Sequence, residues 1–116
     1  MLPQLNYSQA WGVLAVAIVF EVAGTTCLRL SEGLSRLTPS VLIFAFYGVS
    51  FVLNAMVVRV LGMGVTYAVW SGVGTVLTML IGALYFKEPA TALKLASAGM
   101  IVIGVFGLHA ASRSGL

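Results

Sequence analysis

A chain of 116 residues in which 60% are hydrophobic and only 8% charged holds about a third of the charge usual in soluble domains. A soluble fold of this size exposes too much surface for so few charges to cover, so the apolar side chains must face lipid and the protein is integral to a membrane. The net charge of +3 comes from six scattered basic residues. It forms no stripe with interleaved aromatics, which argues against nucleic acid as a partner.

The N-terminal stretch "MLPQLNYSQAWG" has no Lys or Arg ahead of the first apolar run. It therefore lacks the basic region of a signal peptide, and the run is read as a retained span. Apolar runs cover residues 10–28, 41–58, 65–86 and 92–111. Each is close to the ~20 residues a helix needs to cross ~30 Å of hydrocarbon. Helices are the form that satisfies the backbone there. The expected fold is all-α, with four transmembrane helices in one domain, 1–116. Between the spans lie "RLSEGLSRLTPS", "RVLGMG" and "KEPAT", connections short enough to make consecutive helices antiparallel. Thr38 and Pro39 read as an N-cap followed by proline at the first helical position. Gly62 and Gly64 read as the break before the third span, Pro89 as the break before the fourth, and "SRSGL" as a loose polar tail.

The first and third loops hold Arg29, Arg36, Lys87 and Lys94, while the opposite side holds Arg59 and Arg113. Under the positive-inside rule this split orients the chain only weakly. An N-terminus facing out and insertion in both directions stay equally open.

Glu21 lies in the middle of "AVAIVFEVAGTTCLRL", whereas the other two acids, Glu32 and Glu88, fall in polar stretches. A carboxylate at the centre of a membrane helix costs ~3 kcal/mol on insertion scales. Arg29 is eight residues further on, about 12 Å along the axis, too far to pair with it. Desolvation penalises the charged form, so Glu21 is either protonated or matched by a cation from solution. A protonated Glu21 that merely ties two helices together is the structural alternative.

On its face of the first helix stand Ala17, Ile18, Gly24 and Thr25, mostly small, which leaves room beside the carboxylate. On the third span Tyr67, Trp70, Ser71 and Gly74 share one stripe. A tryptophan face attracts organic cations, more so when desolvated, although Tyr67 in particular also suits an interfacial belt. Ser50 and Asn54, four apart on the second span, are either partners of the carboxylate or plain interhelical glue. Three such helices line a groove that a second copy would close. The fourth span carries small residues at Ser97, Gly104 and Ala111. They suit close helix packing, within the chain or across a dimer. His109 near its end reads as solvated or interfacial. Cys27 is alone, so it forms no intrachain disulfide. One His, one Cys and three acids supply no catalytic triad or metal cluster, so no enzyme is expected.

"FEVAGTTCLRLSEGLSRLTPS", "GVTYAVWSGVG" and "YFKEPATAL" resemble, in order and spacing and over nearly the whole chain, the small multidrug resistance family of bacterial membrane transporters. The resemblance implies that Glu21 binds protons and substrate in turn. It makes Tyr67 and Trp70 the substrate-facing aromatics, and it places Gly24, Thr25 and Ser50 around the acid. Gly24, Thr25 and "WSG" match the branch that exports quaternary ammonium and other hydrophobic cations. "FKEPATAL" and "GVFGLHAAS" look more like the guanidinium exporters, which typically carry Trp three residues after the glutamate. Gly62 stands where many relatives have Pro, and Arg29 where Lys is usual. The resemblance further implies an antiparallel homodimer in the inner membrane, dual topology, and proton antiport with no cofactor, since no ATP motif is present. The expectation is a proton-coupled multidrug exporter. A guanidinium exporter and a non-transporting membrane subunit or heterodimer partner are the alternatives.

Overall fold

The computed structural model describes residues 2–114, which form four helices: α1 (Tyr7–Leu30), α2 (Leu37–Leu61), α3 (Met63–Leu84) and α4 (Ala92–Ser114). All four are long and apolar enough to cross a membrane, and the described residues contain no strand.

The ends of the helices follow local chemistry that the apolar runs did not carry. Asn6 caps α1 in a reciprocal box: its side chain accepts from the Gln9 amide at 2.8 Å, and Gln9 Oε1 accepts from the Asn6 amide at 3.0 Å. Two of the orphan donors of the helix start are satisfied in this way, and the helix begins three residues before the expected span.

Helix α2 starts at Leu37 with Arg36 as its N-cap residue, so Thr38 is not the cap and Pro39 sits two positions into the first turn. There its missing N–H is still one of the four that find no helical acceptor. Between α2 and α3 the connection is Gly62 alone, at φ 84° and ψ 164°, a conformation essentially restricted to glycine. Gly64 is already helical. Helix α3 stops at Leu84, so Tyr85 and Phe86 lie beyond it. Helix α4 continues through the polar residues to Ser114, and the remainder of the expected loose tail, 115–116, lies outside the described residues.

The protomer is a slab of 44 × 41 × 17 Å. Helices α1, α2 and α3 pack on one another, α1 against α2 most extensively, while α4 packs along α3. The core is the seam of Leu14, Ile18, Val22 and Val57, flanked by Trp11, Val69, Trp70 and Leu77. Helix α4 meets α3 where Ile101 and Val105 sit over Gly72; a Cβ on that glycine would come within 2.6 Å of Val105. At one end α4 also meets α1: the Arg113 guanidinium stands 5.5 Å from the Tyr7 ring centroid, and Trp11 lies edge-on to His109 at 5.2 Å. The second contact gives His109 a packed aromatic neighbour rather than a purely solvated place.

Candidate functional site

Helices α1 and α3 hold a groove of about 390 Å³ lined by Glu21, Thr25, Tyr67, Trp70, Ser71, Gly74, Thr75, Thr78 and Met79. Glu21 is half-buried on the α1 side. Its Oε1 accepts from the Thr25 hydroxyl one turn on, at 3.1 Å. The Thr25 oxygen is in turn 2.8 Å from the Tyr47 hydroxyl. Because the single Thr25 proton is committed to the carboxylate, Tyr47 is the donor in that second bond. A relay of hydroxyls from α2 through α1 therefore holds one carboxylate oxygen. The other, Oε2, would lie 3.1 Å from a Cβ on Gly74, so that glycine lets α3 come close to the acid. Among the described residues no Lys or Arg pairs with Glu21.

The aromatic wall is built on α3. Tyr67 and Trp70 stand 5.8 Å apart between ring centroids, and Phe51 of α2 is 6.5 Å from Trp70. Tyr67 is 62% exposed in the protomer, and Ser71 and Thr75 are exposed beside it. Their hydroxyls donate to the carbonyls one turn back, Ser71 to Tyr67 and Thr75 to Ser71, both at 2.7 Å. The Trp70 Nε1 donor is buried without a partner along this groove. The result is a polar, aromatic face at membrane depth that the protomer leaves open.

Two of the small or polar residues expected around the acid serve other ends. Gly24 is buried and does not line the groove, because the space beside it is filled by the Tyr47 ring, which a Cβ on Gly24 would approach to 2.6 Å. The room expected next to the carboxylate at this position belongs to tyrosine. Ser50 is buried and donates to the Ala17 carbonyl at 2.9 Å, which joins α1 to α2. Asn54 does not reach the carboxylate either: both ends of its amide are buried and unpartnered. Ser97 and Gly104 of α4 face outward, and a Cβ on Gly104 would meet nothing within 4 Å. The contact of α4 with α3 therefore runs through Ile101 and Val105, leaving Ser97 and Gly104 uncovered. Sequence reasoning missed Thr75, Thr78 and Met79, which continue the α3 side of the groove, and it missed Tyr47. Its only signal was its place one turn before Ser50, on a helix otherwise rich in aromatics.

Comparison with known proteins bears on what this groove serves. The Small Multidrug Resistance protein family model matches residues 9–103. The chain is 42% identical over 99 residues to the uncharacterised membrane protein YvaE of Bacillus subtilis, covering 85% of this chain and 83% of that one. It is 37% identical over 106 residues to the quaternary ammonium compound-resistance protein QacE of Escherichia coli, covering 91% and 96%. With the guanidinium exporter of Escherichia coli K12 the figures are 38% over 99 residues, covering 85% and 94%. Four membrane-spanning helices, an unpaired carboxylate in an aromatic groove and these relatives lead to one conclusion: the chain belongs to the small multidrug resistance family of bacterial inner-membrane efflux transporters, not to any class of enzyme.

Proposed function

We propose that the protein exports hydrophobic organic cations, quaternary ammonium compounds foremost, in exchange for protons, and that it works as an antiparallel homodimer. The observation that carries this reading is Glu21: a half-buried carboxylate, held by Thr25, open to an aromatic groove and without a cation of its own. Tyr67 and Trp70 supply ring faces that attract a desolvated cation, and the carboxylate supplies the countercharge.

The mechanism follows from competition. Two Glu21 carboxylates, one from each copy, share a water-poor site that is neutralised by protons or by a guest cation. Both together would leave excess positive charge in low dielectric, which is unfavourable. Protons arriving on one side therefore release the cation, and a cation arriving on the other releases the protons. Tyr67, Ser71 and Thr75 are polar and exposed in the protomer, which favours a second copy laid across the groove. If the copies are inverted and adopt unlike conformations, the two open states are one structure turned over, and their energies match without further tuning.

The test is proton release from purified protein on adding tetraphenylphosphonium. Release is expected from the parent and from Glu32→Gln, and none from Glu21→Gln. Release that persists in Glu21→Gln would remove the mechanism. Guanidinium export is the second reading, favoured by the similarity to guanidinium exporters. Tight binding of guanidinium without any response to quaternary ammonium would select it.

A further inference from the structure

The groove does not end at Thr25 and Thr78. Both residues also line a second pocket of about 250 Å³, shared with Arg29, Phe86 and Glu88 at the end of the molecule where α1 and α3 terminate. The chain is bent to put Glu88 there. Lys87 adopts φ 58°, a left-handed conformation uncommon for a residue with a side chain. The Glu88 amide then returns to donate to the Gly82 carbonyl at 2.9 Å. Its carboxylate lies over Gly82, where a Cβ would come within 2.5 Å of Oε1. Only a residue without a side chain leaves that seat free. Across the pocket the Arg29 guanidinium stands over the Phe86 ring, 5.1 Å from its centroid. Among the described residues Glu88 has no ion-pair partner.

We infer that this pocket is an outer docking site for the same organic monocations, with Glu88 supplying the countercharge, Phe86 the ring face, and Arg29 acting as an internal occupant that an arriving cation displaces. The chemistry of the mouth repeats that of the groove: one carboxylate and one aromatic face, with Thr25 and Thr78 common to both. The carbonyl ends of α1 and α3 converge on it and add negative potential. Arg29 already shows what the Phe86 face accepts, a flat organic cation. A guest that takes its place gains the ring and the carboxylate together, one step from Glu21. The assignment of the guest rests on the proposed transport of cations; the site itself rests on the contacts above.

Phenyltrimethylammonium is the probe, measured as proton-coupled current in proteoliposomes. Glu88→Gln is expected to raise the half-saturating concentration about fivefold, the size of one partly exposed charge contact, and to leave the maximal current unchanged. Gly82→Ala should move it the same way, because the added methyl displaces only the flexible end of Glu88. Arg29→Gln should lower it, and Arg36→Gln, which removes a charge at the same end of the molecule, should leave it alone. Half-saturation unchanged in both Glu88→Gln and Gly82→Ala overturns the proposal, as does an equal shift from Arg29→Gln and Arg36→Gln. A second arm separates this site from the transport reading: weak binding of the probe should persist in Glu21→Gln micelles and vanish in the Glu21→Gln, Glu88→Gln double variant. If the parent carries no current while this binding behaves as stated, transport fails and the docking site stands. If the double variant binds as Glu21→Gln does, the docking site fails whatever the currents show.

Discussion

The α1–α2 pair and the α4 helix are built to different standards, although both consist of lipid-compatible residues. In the first, Leu14, Ala17, Ile18, Val22, Ser50 and Val57 are buried in a single protomer, with a buried hydroxyl bond across the seam. In the second, no side chain of the membrane-spanning part is buried, and the glycines at 99, 104 and 107 face open space. Close packing in lipid comes from shape and hydrogen bonds rather than from hydrophobicity. The first pair uses both and positions the carboxylate. The fourth helix keeps its small-residue face unused. The protomer is closely packed behind Glu21 and leaves two faces uncovered, the groove in front of Glu21 and the outer face of α4.

That contrast can be broken from the packed side first. Gly24→Val places methyl groups against the Tyr47 ring, a rigid neighbour 2.6 Å from the first added atom. Overpacking of this kind costs about 1–3 kcal/mol, read as a lower unfolding midpoint in micelles, and it should weaken cation binding as well by pulling Tyr47 away from Thr25. On the open side a Cβ at Gly104 would meet nothing within 4 Å, and Gly104→Leu extends a side chain from that face. Helix content should stay unchanged, while dimerisation measured by energy transfer between labelled copies should weaken about tenfold, roughly 1.4 kcal/mol. Equal dimerisation would show that the uncovered face of α4 is not where copies meet. The smallest expected effect is Ser50→Ala, which loses one interhelical bond, about 0.6 kcal/mol in membrane proteins. Cation affinity should barely change, because Ser50 bonds the Ala17 carbonyl and not the acid.

The four spans were legible because burial in lipid demands long apolar runs, and Glu21 because a carboxylate within one is conspicuous. Tyr67, Trp70 and Ser71 could be placed together because helical spacing puts them on one stripe, and the groove contains all three. Spacing along one helix says nothing of what the neighbouring helix brings. Tyr47 lies across an interface from Gly24 and Thr25, and its role depends on how deeply α2 sits beside α1. Gly24 looked like space for a guest for the same reason: a glycine signals close approach without saying by what. The return of Glu88 over Gly82 depends on the left-handed turn at Lys87, a residue type that gives no hint of that conformation. The start of α1 shifted because its cap acts over three residues, whereas apolar runs mark only the lipid-facing length.

The account rests on protons and cations competing for Glu21. The most direct test is the affinity of purified protein for tetraphenylphosphonium, measured by calorimetry from acid to alkaline pH in the parent and in Glu21→Gln. The account predicts that the parent binds more weakly as pH falls, with proton uptake displacing the cation, and that Glu21→Gln binds weakly at every pH. Affinity in the parent that is independent of pH, or pH-dependent tight binding that survives Glu21→Gln, would contradict it.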